Sequence, residues 1–175
     1  MQLRALRPVR TLLLAGVLAA LFAPLAAYGG SSVKISRADA TTERQAELYQ
    51  IDQVEKTFHK AGSTHNVDLV MSLFAPGATF NVGTSTYTGK AQIRRFFAKV
   101  NPAFQAKNHW ESDSPSYKIR ETVNGDTATL YFECHYVDIR TGKVAIVVGV
   151  DHNLQKINGK WLIVSGSGAP AVLSQ

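Results

Sequence analysis

The 175-residue chain carries 19 Lys and Arg against 13 Asp and Glu, is 45% hydrophobic and holds one cysteine. That length supports one domain with a sizeable core, and the lone Cys134 excludes an internal disulfide, so the fold must rest on packing. The net charge of +6 falls to 16 − 13 = +3 once Arg4, Arg7 and Arg10 are set aside, and no basic block with interleaved aromatics remains, which argues against a nucleic-acid partner.

Arg4, Arg7 and Arg10 precede an apolar run from Thr11 to Ala23, followed by Pro24 and the small residues Ala26, Ala27, Gly29 and Gly30. This is the pattern of a secretory leader cut after Ala27 or Gly29. Its apolar run is shorter than the roughly 20 residues of a spanning helix. The expectation is a signal peptide over residues 1–29 and an exported protein, secreted or periplasmic, with no membrane anchor after cleavage. Residues 30–42 are small and polar and read as a flexible linker. The folded domain is expected over 43–168, with a tail at 169–175.

From Glu43 to about Lys60 the apolar residues Leu48, Ile51, Val54 and Phe58 recur at helical spacing, with Thr41 or Thr42 available as cap. Gly62 and Ser63 end that helix. Asn66 is placed to cap a second, short helix that turns Val67, Val70, Met71 and Phe74 inward before Pro76-Gly77 stops it. Ala78 to Val82 reads as a strand. A third helix from Ala91 to about Val100 presents Ile93, Phe96, Phe97 and Val100 on one face, and Pro102 closes it.

The remainder is sheet: about His109 to Val123, Thr127 to Arg140, Lys143 to Ile157 and Trp161 to Ser165. Asn124-Gly125, Thr141-Gly142 and Asn158-Gly159 mark the turns. Helices first and an antiparallel meander after is the order of an α+β domain in which a curved sheet wraps around helices. In the third long strand Val144, Ile146, Val148 and Val150 alternate with Ala145, Val147 and Gly149, so both faces are apolar and both need cover. Helices and pocket contents cover one face, and a second copy of the chain is expected on the other.

Three stretches carry a resemblance: Leu73-Phe74-Ala75-Pro76-Gly77-Ala78-Thr79-Phe80, Tyr87-Thr88-Gly89-Lys90-Ala91-Gln92-Ile93-Arg94-Arg95-Phe96-Phe97, and the meander ending Asn158-Gly159-Lys160-Trp161-Leu162-Ile163. Together they resemble the SnoaL-like branch of the nuclear transport factor 2-like superfamily. The resemblance implies an NTF2-like cone, α+β, with a curved, mostly antiparallel sheet wrapped around three N-terminal helices. It implies activity much less narrowly, since the superfamily holds polyketide cyclases, ketosteroid isomerases, scytalone dehydratases, epoxide hydrolases and noncatalytic members.

Laid on this chain, the isomerase pattern puts its general base at Val82 and its Tyr donor at Phe58, and only its pocket carboxylic acid is matched, by Asp151. The dehydratase pattern puts its first pocket His at His109, its second at Asp138, its strand Tyr at Val82 and its Tyr-Asp pair at Gly62 and Ser63. Both place a polar pocket residue at Asp151. Both turn Cys134, Tyr136 and Asp138 inward and Glu133, His135 and Val137 outward.

The resemblance therefore implies Asp151 and His109 as candidate catalytic residues, with Phe58, Phe97, Trp110, Tyr136, Asp138 and Val147 around a small hydrophobic molecule. A buried carboxylic acid would donate to a developing enolate oxygen and a nearby His would move the proton. Each residue also has a plainer reading: Asp151 bonded to a neighbouring strand or to Tyr136, His109 exposed at a strand start, Asp138 favouring the Thr141-Gly142 turn. His135 and His152 read as neighbours on the outer face. His59, His65, His135 and His152 lack metal spacing, no cofactor is expected, and Cys134 reads as an inert buried thiol. Two readings stay open: a cofactor-free lyase, isomerase or cyclase, and a noncatalytic domain that binds a small apolar ligand or serves as a dimeric interaction module.

Overall fold

The computed structural model of the chain describes residues 37–171. The expected leader, the first part of the expected linker and residues 172–175 lie outside them. Helix α1 spans Arg37–Ser63, so it starts six residues before Glu43 and takes in the second half of the expected linker. Over residues 39–46 it is exposed. The anchor is Glu47, whose carboxylate accepts from Lys156 Nζ at 2.5 Å and from Trp161 Nε1 at 2.7 Å. Beyond it Ile51, Val54, Phe58 and Ala61 bury the apolar stripe.

Helix α2, Val67–Met71, is capped as its sequence dictates: Asn66 Oδ1 accepts from the Leu69 amide at 2.9 Å. Phe74 is not part of it. Strand β1 runs Phe74–Val82 and carries Pro76-Gly77 inside an irregularity of its register between Phe74 and Thr79. A proline lacks the ladder donor and is tolerated at such a bulge. A tight hairpin leads to β2, Ser85–Thr88, and α3, Gly89–Arg95. The expected third helix then widens into a π-helical turn over Phe96–Val100. Ile93, Phe96 and Phe97 are buried as expected, whereas Val100 at the end of that turn is 59% exposed.

The long first strand expected after His109 is two. Strand β3, Trp110–Asp113, and β4, Arg120–Asn124, are separated by Pro115 and a 3₁₀ turn over Ser116–Lys118. They pair with opposite halves of β5, Thr127–Asp138. Strands β6, Lys143–Ile157, and β7, Lys160–Pro170, complete one seven-stranded sheet in the order β2-β1-β7-β6-β5-β3, with β4 also on β5. Asn158 and Gly159 both sit at positive φ, 51° and 75°, the demand of a two-residue hairpin between β6 and β7. The pairing of β1 with β7 is parallel. It brings the start of the domain against its end, a contact that a hairpin-by-hairpin reading does not reach. The tail expected from residue 169 begins inside β7.

The core lies between α1, α3 and the inward face of the sheet, with Phe74, Phe97, Phe132, Ile93, Leu130 and Ile163 fully buried. On β5 the inward residues are Leu130, Phe132, Cys134 and Tyr136. On β6 the register slips between Tyr136 and Val137, so that Tyr136 faces Ile146 while Val137 faces Val144. That bulge breaks the period-two alternation. Val144 leaves the inner face and stands 47% exposed, while Ile146, Val148 and Val150 remain inside.

Candidate functional site

Strand curvature and the π-helical turn leave a cavity of about 240 Å³ at one end of the core. Phe58 of α1, Phe80 and Val82 of β1, and Ile146, Val148 and Val150 of β6 line it, and Phe96, Phe97 and Val100 close it from the turn. A π turn inserts one residue into a helical repeat. Here the consecutive Phe96 and Phe97 lie edge to face with ring centres 5.1 Å apart, and Phe97 also meets Phe58 at 5.9 Å. Asn101, Trp110, Cys134 and Tyr136 add the polar atoms that the wall contains.

Two of these are fully buried. Burial pushes the Cys134 thiol up to about 12, with the Tyr136 and Ser112 hydrogen bonds working weakly the other way. Burial also drives the Tyr136 phenol well above its ordinary range, and Cys134 beside it adds to the rise. Both side chains therefore stay protonated at neutral pH, as a hydroxyl and a thiol inside an apolar wall.

Behind Tyr136 lies a group of polar side chains that the sequence reading does not single out. Glu55 and His59, one turn apart on α1, are 4% and 6% exposed, and Ser112 of β3 is 9% exposed. His59 Nδ1 lies 2.7 Å from Ser112 Oγ. Its Nε2 is 3.0 Å from Glu55 Oε1, an ion-pair distance, although the oxygen lies off the N–H axis. The Ser112 amide donates to Ser63 Oγ at 2.8 Å, pinning β3 to the end of α1. Ser112 and Tyr136 are direct partners across β3 and β5. The available sequence signal was an acid and a His at i, i+4 beside Ile51, Val54 and Phe58 on a helix face that must be buried.

A second buried imidazole, His152 of β6, is 2% exposed with neither ring nitrogen partnered. Phe58, Phe74, Phe80 and Phe132 surround it with ring centres 5.5–6.3 Å from its own. Burial alone pushes its pKa from 6.5 down to about 3. The sequence reading placed His152 on the outer face with His135, and the structure corrects this: one residue of register separates exposed Asp151 from buried His152.

Of the expected site residues, Phe58, Phe97, Trp110 and Tyr136 line the cavity. Asp151 does not: it is exposed on the outer face, opposite Tyr131 and Ser167. Val147 points outward as well, since Ile146 and Val148 take the inner positions. His109 is half-buried just before β3, with its carbonyl accepting from the Ile139 amide at 2.9 Å, and it is not part of the cavity wall. Asp138 holds the turn, its Oδ1 accepting from the Arg140 and Thr141 amides at 2.9 and 3.3 Å. The structure thus separates His109 from Asp151, and the acid/base pair implied by the resemblance is not assembled. Val82 and Phe58, which stand where the isomerases carry base and donor, line the cavity and move no protons. On the outer face His135 and Glu133 are where the alternation puts them, with Glu133 accepting from His135, Lys118 and Tyr131. Among the described residues no three His, Cys, Asp or Glu side chains come together as metal donors.

Comparison with known proteins agrees with this architecture. The family model of the SnoaL-like domain matches residues 54–162. An NTF2-like protein with a cystatin-like fold from Novosphingobium aromaticivorans superimposes with a TM-score of 0.65 at 17% identity, over 79% of this chain and 92% of that one. A protein from Streptomyces avermitilis, described as a candidate dehydratase of the NTF2-like family, gives 0.60 at 14% identity, over 75% and 99%. An NTF2-like superfamily protein from Salmonella enterica gives 0.59 at 19% identity, over 77% and 96%. At these identities the likeness carries the fold alone. No curated protein matches the sequence.

Proposed function

This chain belongs to the SnoaL-like domain family, and on that premise we propose that it is an exported domain whose cavity takes up a small hydrophobic molecule. The observation that carries the reading is the cavity itself. About 240 Å³ of space is walled by Phe, Val, Ile and Trp side chains with few polar atoms, the pattern of a ligand site in which apolar contact supplies affinity and a few polar groups fix orientation. Its size suits a molecule of one or two rings. Tyr136 and Asn101 are the groups placed to orient it. Export rests on the leader pattern of Arg4, Arg7 and Arg10 before the apolar run to Ala23.

The test is a titration of the purified protein with one-ring and two-ring apolar compounds, read by methyl NMR of Ile146, Val148 and Val150. Saturable shifts confined to these inward methyls are the expected result, and shifts at exposed Val144 alone would reject the cavity as the site. The same reading puts a second copy of the chain on the outer face of β5 and β6 as a proposal, supported by the exposure of Val144 there. Sedimentation at twice the protomer mass is the outcome this requires.

A lyase or isomerase is the second reading, favoured by one observation: buried Glu55, His59 and Ser112 lie behind Tyr136, which lines the cavity.

A further inference from the structure

Four polar side chains from three elements lie in series inside the core, and one of them meets the cavity. Glu55 is 3.0 Å from His59 Nε2, and His59 Nδ1 is 2.7 Å from Ser112 Oγ. Ser112 and Tyr136 are register partners, and both press on one point above Gly62: a Cβ built there would lie 3.6 Å from the Tyr136 hydroxyl and 3.7 Å from Ser112 Cβ. Burying such groups costs stability that apolar side chains of the same volume would not. The directions of the bonds are set from the far end. With the His59 proton on Nε2, toward Glu55 Oε1 at 3.0 Å, Nδ1 would accept from the Ser112 hydroxyl, and the Ser112 oxygen beside the Tyr136 side chain would be left to accept from Tyr136 O–H. The remaining lone pairs of the Tyr136 oxygen are free for the cavity.

We propose that Glu55, His59, Ser112 and Tyr136 form a proton relay in which the Tyr136 oxygen accepts the proton of an acidic O–H, phenolic or enolic, on the molecule bound in the cavity. The proposal rests on the cavity being a binding site. When the ligand O–H bond breaks, its proton passes to the Tyr136 oxygen, the Tyr136 proton to Ser112, and the Ser112 proton to His59 Nδ1. One proton leaves the ligand and one arrives on the imidazole. The imidazolium is then paired with Glu55, and the enolate or phenolate is left facing a hydroxyl donor. Reversal of the same steps returns the proton. The charged and titratable groups that face the series are Glu55 on α1 and Cys134 on β5, with Asp52 of α1 and Glu121 of β4 beyond Glu55. Cys134 remains a thiol. Tyr136 is the catalytic residue in this scheme; Ser112, His59 and Glu55 act through it as positioning residues.

The test uses the purified chain with ring-¹⁵N histidine and labelled Ile and Val methyls, with 4-nitrophenol as the probe and His59→Gln to assign the His59 resonances. The Ile146 and Val148 methyls report entry into the cavity. His59 is not part of the cavity wall, so its response reports the relay. In the unaltered protein, saturating 4-nitrophenol is expected to move His59 Nδ1 toward its protonated position. In Ser112→Ala and Tyr136→Phe the methyls still shift and His59 stays still, whereas Asp151→Asn, exposed on the outer face and part of neither the wall nor the series, keeps the response. Methyl shifts with an unmoved His59, or an equal His59 response in Tyr136→Phe, overturn the relay and leave the cavity reading intact. If the methyls do not move, that reading fails first and the free protein decides the relay. Its Nδ1 resonance must then differ from wild type in both Ser112→Ala and Tyr136→Phe, and an unchanged position in Tyr136→Phe overturns it.

Discussion

His152 makes stability depend on pH in a way that can be worked out beforehand. Its ring is fully buried among four phenylalanines, and its pKa falls from 6.5 to about 3. Above the ordinary value the ring is neutral in both folded and unfolded chains and contributes no pH dependence. As pH falls through 6.5 the unfolded chain binds a proton there that the folded chain refuses until about pH 3, so unfolding is favoured progressively across that window. Linkage gives a loss of about 1.4 kcal/mol at roughly pH 5.5 and about 2.7 kcal/mol at roughly pH 4.5. His152→Leu removes the site. It also removes two buried, unpartnered nitrogens, so near neutrality the variant should lie within about 1 kcal/mol of wild type or above it. Urea unfolding of both proteins at about pH 7.5, 5.5 and 4.5 isolates the term, because the other titrating groups are common to both. The gap should grow in favour of the variant by the amounts above, and a gap that stays flat with pH would refute the buried, neutral imidazole.

Three further outcomes are expected. Gly166 lies directly over His152: an added Cβ would run into His152 Nδ1 and come within 2.9 Å of the Asp151 carbonyl, so Gly166→Ala should cost about 1–3 kcal/mol in chemical denaturation. Asp151→Asn should leave the affinity for any cavity ligand unchanged within twofold in calorimetric titration, because Asp151 is exposed on the outer face. Cys134, with its thiol pushed up to about 12, should resist iodoacetamide at about pH 8 in the native protein and react on unfolding, and mass spectrometry of the alkylated chain reads both states.

The fold was legible where local chemistry decides it. Asn66 caps α2, the Asn-Gly turns close the hairpins, and the stripe of Ile51, Val54 and Phe58 sets the buried face of α1. Pro76 misled because its neighbours already pair as strand, and a bulge rather than a break absorbs the missing donor. The parallel β1–β7 contact was out of reach because nothing in a local pattern records which strand ends meet after the chain has gone around the sheet.

The apolar wall was legible at Phe58, Phe97 and Trp110, and on β5 the family patterns together with period-two alternation place Cys134 and Tyr136 inward. On β6 the bulge between Ile146 and Val144 takes Val144 off the inner face, whereas Asp151 and His152 pair regularly with Tyr131 and Leu130, so His152 continues the inward face of Val148 and Val150 and Asp151 falls outward, against what the resemblance implies. An acidic residue next to a histidine offers no way to tell which of the two is buried until that register is known. Glu55 and His59 were missed for another reason: charged residues on helices are mostly exposed, and only the positions of Ile51 and Phe58 around the helix indicate that these two are not.

The most direct test of the central claim is native mass spectrometry of the protein purified from its native host, beside Val148→Trp, which fills the cavity from β6. The account predicts a defined small apolar compound on the wild type that is absent from the variant. An empty wild type, or a compound retained equally by Val148→Trp, would contradict the cavity as its place of binding.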